Sequence, residues 1–301
     1  RPRAIKDTAA RGISVPHLLQ LAGIIQHVLE RQTIIDYSPY SPTRERPLAW
    51  DSLTMYQVCT YFVLPLTCTG QCSYVESLGE KSNPPSWMAS HWWGCPFAKT
   101  VAMLQCHESI RKSSSYWICT LANNQHNLEE LQEEGIMKTP FARVLQSASC
   151  IGTVLLCDPC VTPLQRSWCV FETYLTCLLR DAPDSETIEA SSKDGTLGTL
   201  LVERLAEACS KEVHFFDIAT PAQGNGSSSG GSGSSDGQRI AFLIDALDGS
   251  WYERVDLAGS HFPLEVATVG IGVDICKAEA SVAADRNKIM NYISLRLVSA
   301  E

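Results

Sequence analysis

The stretch Pro85-Ser86-Trp87-Met88-Ala89-Ser90-His91-Trp92-Trp93-Gly94 decides how this chain folds. It is a short apolar run that stops at a polar and aromatic turn, and an amphipathic segment begins soon afterwards at Pro96. Such a run, followed by a turn and a helical pattern, is typical of a buried parallel strand and its crossover helix. The sequence therefore predicts a strand at 87–90 and a helix over 96–111.

The same alternation of strands and helices continues along the chain. Further strands are predicted at 116–121, 151–156, 213–218 and 240–244, with a short one at 262–269, and helical segments at 128–146, 165–179, 197–209 and 282–297. Strands separated by helices of this length pair in parallel through right-handed crossovers. We therefore predict an α/β protein with a flavodoxin-like parallel sheet of about five strands.

The flanking segments differ from this core in composition. Residues 1–84 are predicted to form a helical N-terminal extension, in which Ser14 caps a helix whose second residue is Pro16. The segment 221–238 is rich in Gly and Ser and cannot bury apolar surface, so we expect a flexible loop there. The predicted organisation is an α/β core at 85–220 that a C-terminal part at 239–301 completes.

Composition and charge argue against several classes of protein. A net charge of -9 is unsuited to a nucleic-acid binder, which needs a basic face. No apolar run reaches about eighteen residues, so no membrane span is expected. The thirteen cysteines are odd in number and several lie inside apolar runs, which argues against a secreted disulfide framework. We therefore predict a cytoplasmic protein with reduced thiols.

A second stretch, Arg166-Ser167-Trp168-Cys169-Val170-Phe171-Glu172, begins the helix after the predicted third strand. Together with the Ser90-His91 turn and the order of elements over 86–220, it resembles the Toll/interleukin-receptor (TIR) domain. In that family, which has a flavodoxin-like fold, a run with the motif Trp-Cys-x-x-Glu begins the corresponding helix. The chain also resembles TIR-like proteins of algae and other protists in three runs, Ser90–Gly94, Tyr116–Cys119 and Ala122–His126.

This resemblance implies an activity and a site. Some TIR domains cleave NAD at the nicotinamide–ribose bond, and the glutamate of the motif is their catalytic residue. Glu172 is accordingly the expected catalytic residue of an NAD(P) glycohydrolase or cyclase, with NAD(P) or a related nucleotide as substrate and no cofactor or metal. Loss of nicotinamide leaves an oxocarbenium-like ribose, which a carboxylate can stabilise. The residues expected to bind the substrate are Ser90, His91, Trp92, Trp93, Asn123, Asn124 and Trp168.

All of these residues except Ser90 also have a purely structural interpretation. Glu172 lies in the first turns of a helix, where the helix dipole favours a carboxylate. Trp168 lies on the apolar side of its predicted helix and is expected to be mainly a core residue. Of the adjacent Trp92 and Trp93, one should be buried and the other should face the cleft. A turn or a hydrogen-bonded structural role accounts equally well for His91, Asn123 and Asn124.

Two other functions remain open. The first is a non-catalytic module for self-association or for binding a partner protein. It is favoured because 120–126, which follows the second predicted strand, contains no carboxylate, whereas NAD-cleaving TIR domains usually have an acidic residue there. The second is a nucleoside-processing enzyme that uses Glu172 on a different base–sugar bond.

The pair Cys157-x-x-Cys160 has the spacing of a redox pair or half a zinc site, but no second pair accompanies it.

The environment of Glu172 separates an enzyme from a scaffold. An enzyme requires this carboxylate to face an open pocket with aromatic and polar groups around it. A scaffold predicts instead that Glu172 is solvated or salt-bridged and that side chains fill the edge of the sheet.

Overall fold

A mixed β-sheet lies at the centre of the protein. The computed structural model describes residues 2–38, 41, 43–112, 115–129, 135–180, 214–222, 239–245, 251–255 and 262–298. Within these residues the sheet has six strands. They are β1 Trp87–His91, β2 Tyr116–Trp117, β3 Gly152–Leu156, β4 Phe215–Pro221, β5 Ile240–Asp245 and β6 Trp251–Val255.

The strand order is β2-β1-β3-β4-β5-β6. The first four strands are parallel to one another, whereas β5 is antiparallel to β4 and β6 is antiparallel to β5. The predicted fold class is confirmed, since the protein is α/β with a mostly parallel sheet, consistent with a flavodoxin-like fold. The two strands β5 and β6 depart from the predicted parallel arrangement. A parallel neighbour needs a crossover, but the Gly/Ser-rich sequence between β4 and β5 has no helical pattern, and an antiparallel return requires none.

Ten α-helices belong to the described residues. They are α1 Val15–Arg31, α2 Met55–Val58, α3 Leu64–Thr67, α4 Tyr74–Ser77, α5 Phe97–Arg111, α6 Cys119–Ala122, α7 Pro140–Gln146, α8 Ser167–Arg180, α9 Leu264–Ile271 and α10 Ala283–Val298. A π-helical segment, Cys59–Val63, joins α2 to α3. None of the helices in the described part of the chain is long and apolar enough to cross a membrane.

Two strand predictions are wrong in detail. The strand expected at 116–121 ends at Trp117, because the chain turns into α6 after Ile118. The segment expected as a strand at 262–269 instead forms α9, which follows Pro263 and has Glu265 in its first turn. Both segments are short apolar runs, and periodicity alone cannot distinguish a strand from a helix in such runs. The helix predicted at 197–209 and most of the loop predicted at 221–238 lie outside the described residues.

Helices cover both faces of the sheet. Ser14 caps α1 as predicted by accepting a hydrogen bond from the His17 amide. The apolar side of α1, with Leu18 and Leu21, shares one hydrophobic cluster with Trp87 of β1 and Phe97 of α5. The N-terminal extension therefore contributes to the core of the sheet. On the opposite face α7, α8 and α10 pack together around Met88 and Phe171.

Candidate active site at the carboxyl edge of the sheet

The end of β1 and the beginning of α8 bring Ser90 and Glu172 together. β1 pairs in register with β3 up to His91 and Leu156, so the two strands end side by side. α8 follows β3 and its N-terminal turns lie over this edge, where open α/β sheets bind ligands. The Ser90 hydroxyl donates a hydrogen bond of 2.5 Å to Oε2 of Glu172. The two stretches that carried the sequence argument are therefore in direct contact.

Glu172 is a buried carboxyl group without a cationic partner. Its side chain is only 4% exposed, and no Lys, Arg or His of the described chain forms an ion pair with it. Burial raises the pKa of Glu172 to about 8, although the hydrogen bond from Ser90 partly opposes this shift. A large fraction of the free protein therefore holds a proton on Glu172 at neutral pH. Removal of this proton leaves a poorly solvated carboxylate, which stabilises a nearby cation strongly.

A cavity of about 550 Å³ opens beside Glu172. This volume lies in the range of small-molecule sites. Six of the predicted residues line it: His91, Trp92, Trp93, Asn123, Trp168 and Glu172. Two do not line it. Ser90 is fully buried and contacts the cavity through Glu172, and Asn124 lies in the adjacent turn.

Two buried polar atoms of the cavity residues lack a hydrogen-bond partner among the described residues. They are Nε2 of His91 and Oδ1 of Asn123. Burial lowers the pKa of His91, so its ring is neutral, and Nδ1 lies 3.1 Å from the Ala89 carbonyl, which can only accept. Nδ1 therefore carries the proton and Nε2 is an acceptor. Because buried polar atoms are normally hydrogen-bonded, these two acceptors fit a ligand that supplies N–H or O–H donors.

The tryptophans of the cavity do not divide into core and cleft residues as predicted. Trp92 and Trp93 are both half-buried and both line the cavity. The prediction that one of them would be buried is wrong because β1 ends at His91, and the alternation of an extended strand does not apply beyond it. Trp168 is also half-buried. It stacks on Phe141 at 4.6 Å between ring centroids and donates from Nε1 to Asp285 at 3.3 Å.

The N-terminal extension supplies one wall of the cavity, which the sequence did not predict. The Tyr56 ring lies 5.4 Å from the Trp93 ring, and the Met55 amide donates to the Trp93 carbonyl at 2.9 Å. On its other side Trp93 donates from Nε1 to Sγ of Cys119 at 3.0 Å. Trp93 is therefore held by two segments that are distant in sequence.

The same extension holds the loop that carries Asn123. Arg11 donates to the Ala122 carbonyl at 3.2 Å, directly before Asn123. The Asn124 side chain donates to the Gln71 carbonyl at 2.9 Å and accepts from the backbone amide two residues later. In this structure Asn124 therefore builds the turn, which is the structural interpretation given above, while Asn123 contributes to the cavity.

The outer wall of the cavity comes from the segment 279–285, before and at the start of α10. The Glu279 amide donates to the Gln165 carbonyl at 2.9 Å, and the Glu279 carbonyl accepts from the Ser167 amide at 2.8 Å. Arg166 donates to Oγ of Ser281 at 3.1 Å. Sequence reasoning did not identify these residues, since no motif marks them and they lie more than a hundred positions from the Trp-Cys-x-x-Glu run.

The Cys157-x-x-Cys160 pair does not form a metal site with other side chains. Cys157 is buried, and burial raises its pKa, whereas Cys160 is exposed. Across the residues that the structure describes, no three His, Cys, Asp or Glu side chains are grouped so that they could hold a metal ion.

Gly94 allows the Trp92 indole to pack against the turn after β1. A Cβ at this position would overlap the Trp92 ring. We expect Gly94→Ala to displace Trp92 and to lower the free energy of unfolding by about 1–3 kcal/mol, the usual effect of overpacking. Urea denaturation measures this, with Gly23→Ala as the matched control. Gly23 is exposed within α1 with no neighbour within 4 Å, so alanine should stabilise there by about 0.5–1 kcal/mol. Equal effects at both positions would contradict this account of Gly94.

No protein-family model, curated protein or solved structure matched this chain. The geometry and electrostatics of the cavity are therefore the basis for a function.

Proposed function

We propose that this protein cleaves the nicotinamide–ribose bond of NAD(P) as a TIR-type glycohydrolase or cyclase, with Glu172 as the catalytic residue. The observation that carries the proposal is the position of Glu172, a buried carboxyl group that faces a cavity without an ion-pair partner in the described chain. A scaffold would have this side chain solvated or salt-bridged. We also propose that the protein is cytoplasmic, as predicted from its cysteines.

The chemistry assigned to Glu172 is electrostatic. The C1′–N bond breaks with its electron pair leaving on nicotinamide, which becomes neutral, and the positive charge moves to the ribose. The Glu172 carboxylate stabilises this cation in a poorly solvated site. Water then adds to C1′ and releases a proton in the glycohydrolase reaction, or a nucleophile within the substrate adds in the cyclase reaction. Since the bound nicotinamide ring is itself cationic, it favours the ionised form of Glu172.

The other predicted residues of the cavity receive binding roles. The half-buried rings of Trp92, Trp93 and Trp168 offer planar surfaces for the nicotinamide ring. Nε2 of His91 and Oδ1 of Asn123 accept hydrogen bonds from the ribose hydroxyls or the carboxamide. Ser90 is a positioning residue, because it acts through its hydrogen bond to Glu172.

The test is release of nicotinamide from NAD and NADP, separated chromatographically and compared with a protein-free blank. We expect nicotinamide to appear together with an ADP-ribose product that is linear or cyclic. Absence of release by the folded protein would overturn the proposal. A parallel incubation with adenosine tests the remaining possibility that Glu172 acts on another base–sugar bond.

The pH dependence follows from the ionisation of Glu172. Because the carboxylate is the active form, kcat/KM should rise about tenfold per pH unit below the pKa, which is about 8, and level off above it. The pH profile of kcat should have its midpoint at a lower pH than that of kcat/KM, since the cationic substrate favours the carboxylate form of Glu172.

Ser90→Ala removes a hydrogen bond that lowers the pKa of Glu172. The midpoint of kcat/KM should therefore move upward by about one pH unit. Rate profiles of the wild type and this variant between pH 5 and about 10 give both midpoints. A midpoint that does not move, or moves downward, would contradict the role of Ser90.

A second candidate function is self-association without catalysis, and the exposed apolar side chains of α9 favour it. Leu264 is 75% exposed and Ile271 is 90% exposed, and exposed apolar patches often mark interaction surfaces. Sedimentation velocity of the wild type and Ile271→Asp separates the two candidates. Concentration-dependent association that the substitution abolishes, without any nicotinamide release, would favour the assembly module.

A further inference from the structure

A second cavity, of about 560 Å³, lies beside the Glu172 cavity. The two cavities share three lining residues, Trp92, Arg166 and Glu279. The second cavity is otherwise lined by Thr162, Gln165 and five residues of the segment 269–277, so it is built mainly from the C-terminal part of the chain. The two cavities are therefore adjacent, with Trp92 on the wall between them.

Arg166, on the shared wall, is a cation without a carboxylate partner. Its guanidinium donates to Oγ of Ser281 at 3.1 Å, and no Asp or Glu within the described ranges lies within 4 Å of it. Lys277, the other cation of the second cavity, is by contrast paired with Asp274 at 3.1 Å. Glu279 lines both cavities but is exposed to solvent and forms no ion pair with Arg166. Arg166 is thus a cation on the shared wall that forms no ion pair with a described residue.

The backbone around Arg166 is held in place on both sides. The Arg166 amide donates to the Pro163 carbonyl at 3.0 Å, and its neighbours Gln165 and Ser167 bond the backbone of Glu279. Arg166 as a whole is half-buried and directly precedes α8. The guanidinium donates one hydrogen bond, to Ser281, so other donors are left for an anion, and its planar fork matches the oxygens of a phosphate.

We infer that Arg166 binds the phosphate or pyrophosphate group of a ligand that spans both cavities, with its sugar at Glu172 and its remaining part in the second cavity beyond Trp92. This inference rests on the proposed function for the sugar end. It adds that Arg166 is the residue that recognises the phosphate and that discriminates a nucleotide from an uncharged nucleoside.

The test compares ligands that differ in phosphate content. NAD, nicotinamide mononucleotide and nicotinamide riboside are titrated against the wild type, Arg166→Gln and Arg166→Lys. We expect Arg166→Gln to weaken the two phosphate-bearing ligands about tenfold or more, while the affinity for the riboside changes less than about twofold. Arg166→Lys should be intermediate, because it keeps the charge but loses the planar fork. Equal weakening of all three ligands, or of none, would overturn the inference.

Binding of ADP-ribose and adenosine separates this inference from the proposed function, because neither ligand contains a nicotinamide bond. If nicotinamide is never released but ADP-ribose binding depends on Arg166, the proposed function fails and the phosphate site stands. If NAD is cleaved and Arg166→Gln leaves its KM unchanged, the phosphate site fails and the function stands. Failure of the wild type to bind ADP-ribose in preference to adenosine also overturns the site. Thermal unfolding of both Arg166 variants verifies that they are folded.

Discussion

Glu172→Gln is expected to lower the rate of nicotinamide release at least about 100-fold. The amide has the shape of the carboxyl group but no charge, so it cannot stabilise the ribose cation. The tryptophans and the two acceptors of the cavity remain in place, and KM should therefore change much less than kcat. Steady-state kinetics at a pH above the pKa of Glu172 measures the full effect, because the wild type is then ionised.

Stability measurements test whether unfolding causes such a loss. The pKa of Glu172 is raised in the folded protein from 4.5 to about 8. Neutral Glu172 therefore contributes to the free energy of unfolding in full below about pH 4.5. This contribution is lost as the pH rises through the pKa of Glu172 in the folded protein. Glutamine does not titrate, so Glu172→Gln should be at least as stable as the wild type at alkaline pH.

Glu279→Gln is the matched kinetic control for Glu172→Gln. It removes an exposed carboxylate from the same cavity and should change kcat by less than about threefold. A Glu172→Gln variant that retains more than a tenth of the wild-type rate, or a Glu279→Gln variant that loses as much, would remove Glu172 from the catalytic role.

Asp217→Asn is expected to have the largest effect on stability, about 3–5 kcal/mol, because it breaks a buried ion-pair network. Asp217 is fully buried and accepts two hydrogen bonds from Arg111 at 2.6 and 2.7 Å. It also accepts from Nε2 of His107 at 2.9 Å and from the Asp245 amide at 2.8 Å. Nδ1 of His107 in turn lies 2.8 Å from the Tyr116 hydroxyl. The substitution leaves Arg111 without its counter-charge and disrupts these contacts.

A surface pair provides the control for this substitution. Asp7 bonds Arg143 at 2.7 Å, and the two side chains are 53% and 39% exposed. Asp7 also caps the short 3₁₀ helix Thr8–Ala10 by accepting a hydrogen bond from the Ala9 amide at 3.0 Å. Asp7→Asn keeps this cap, since asparagine is an equally good capping residue, and should cost less than about 1 kcal/mol. Denaturant unfolding at neutral pH compares the two variants. Similar losses for both would mean that the network around Asp217 contributes no more than a surface ion pair.

The pH dependence of stability gives the network a second signature. Hydrogen bonds to His107 and Arg111 outweigh the burial of Asp217 and hold its pKa below the ordinary value of 3.8. The stability that ionised Asp217 contributes is therefore present above about pH 4. It is lost as the pH falls toward the pKa of Asp217 in the folded protein. Burial lowers the pKa of His107, so the unfolded chain takes up an extra proton once the pH falls below about 6.5. Wild-type stability should decline from that pH downward, and the part of the loss that the protonation of Asp217 causes, below about pH 4, should be absent in Asp217→Asn.

Local sequence patterns were sufficient for the central part of the fold. The apolar run ending at Ser90-His91 predicted β1, and the amphipathic segment after Pro96 predicted α5. Both predictions succeeded because the spacing of apolar residues within a short segment reflects its own secondary structure. The position of Glu172 near the start of α8 followed in the same way. Once β1 and β3 are parallel neighbours, their ends meet at one edge, so the proximity of Ser90 to Glu172 could also be anticipated.

Long-range contacts decided the remainder. The early end of β2, the helix at α9 and the antiparallel β5 and β6 depend on packing that short apolar runs do not encode. The walls of the cavity come from Tyr56 and from the segment 279–285, which no motif connects with Glu172. Even the chemical state of Glu172 depends on this assembly, because its raised pKa results from desolvation by surrounding segments that are distant in the chain. The order of residues placed the carboxyl group at the edge of the sheet, and the tertiary structure removed it from water.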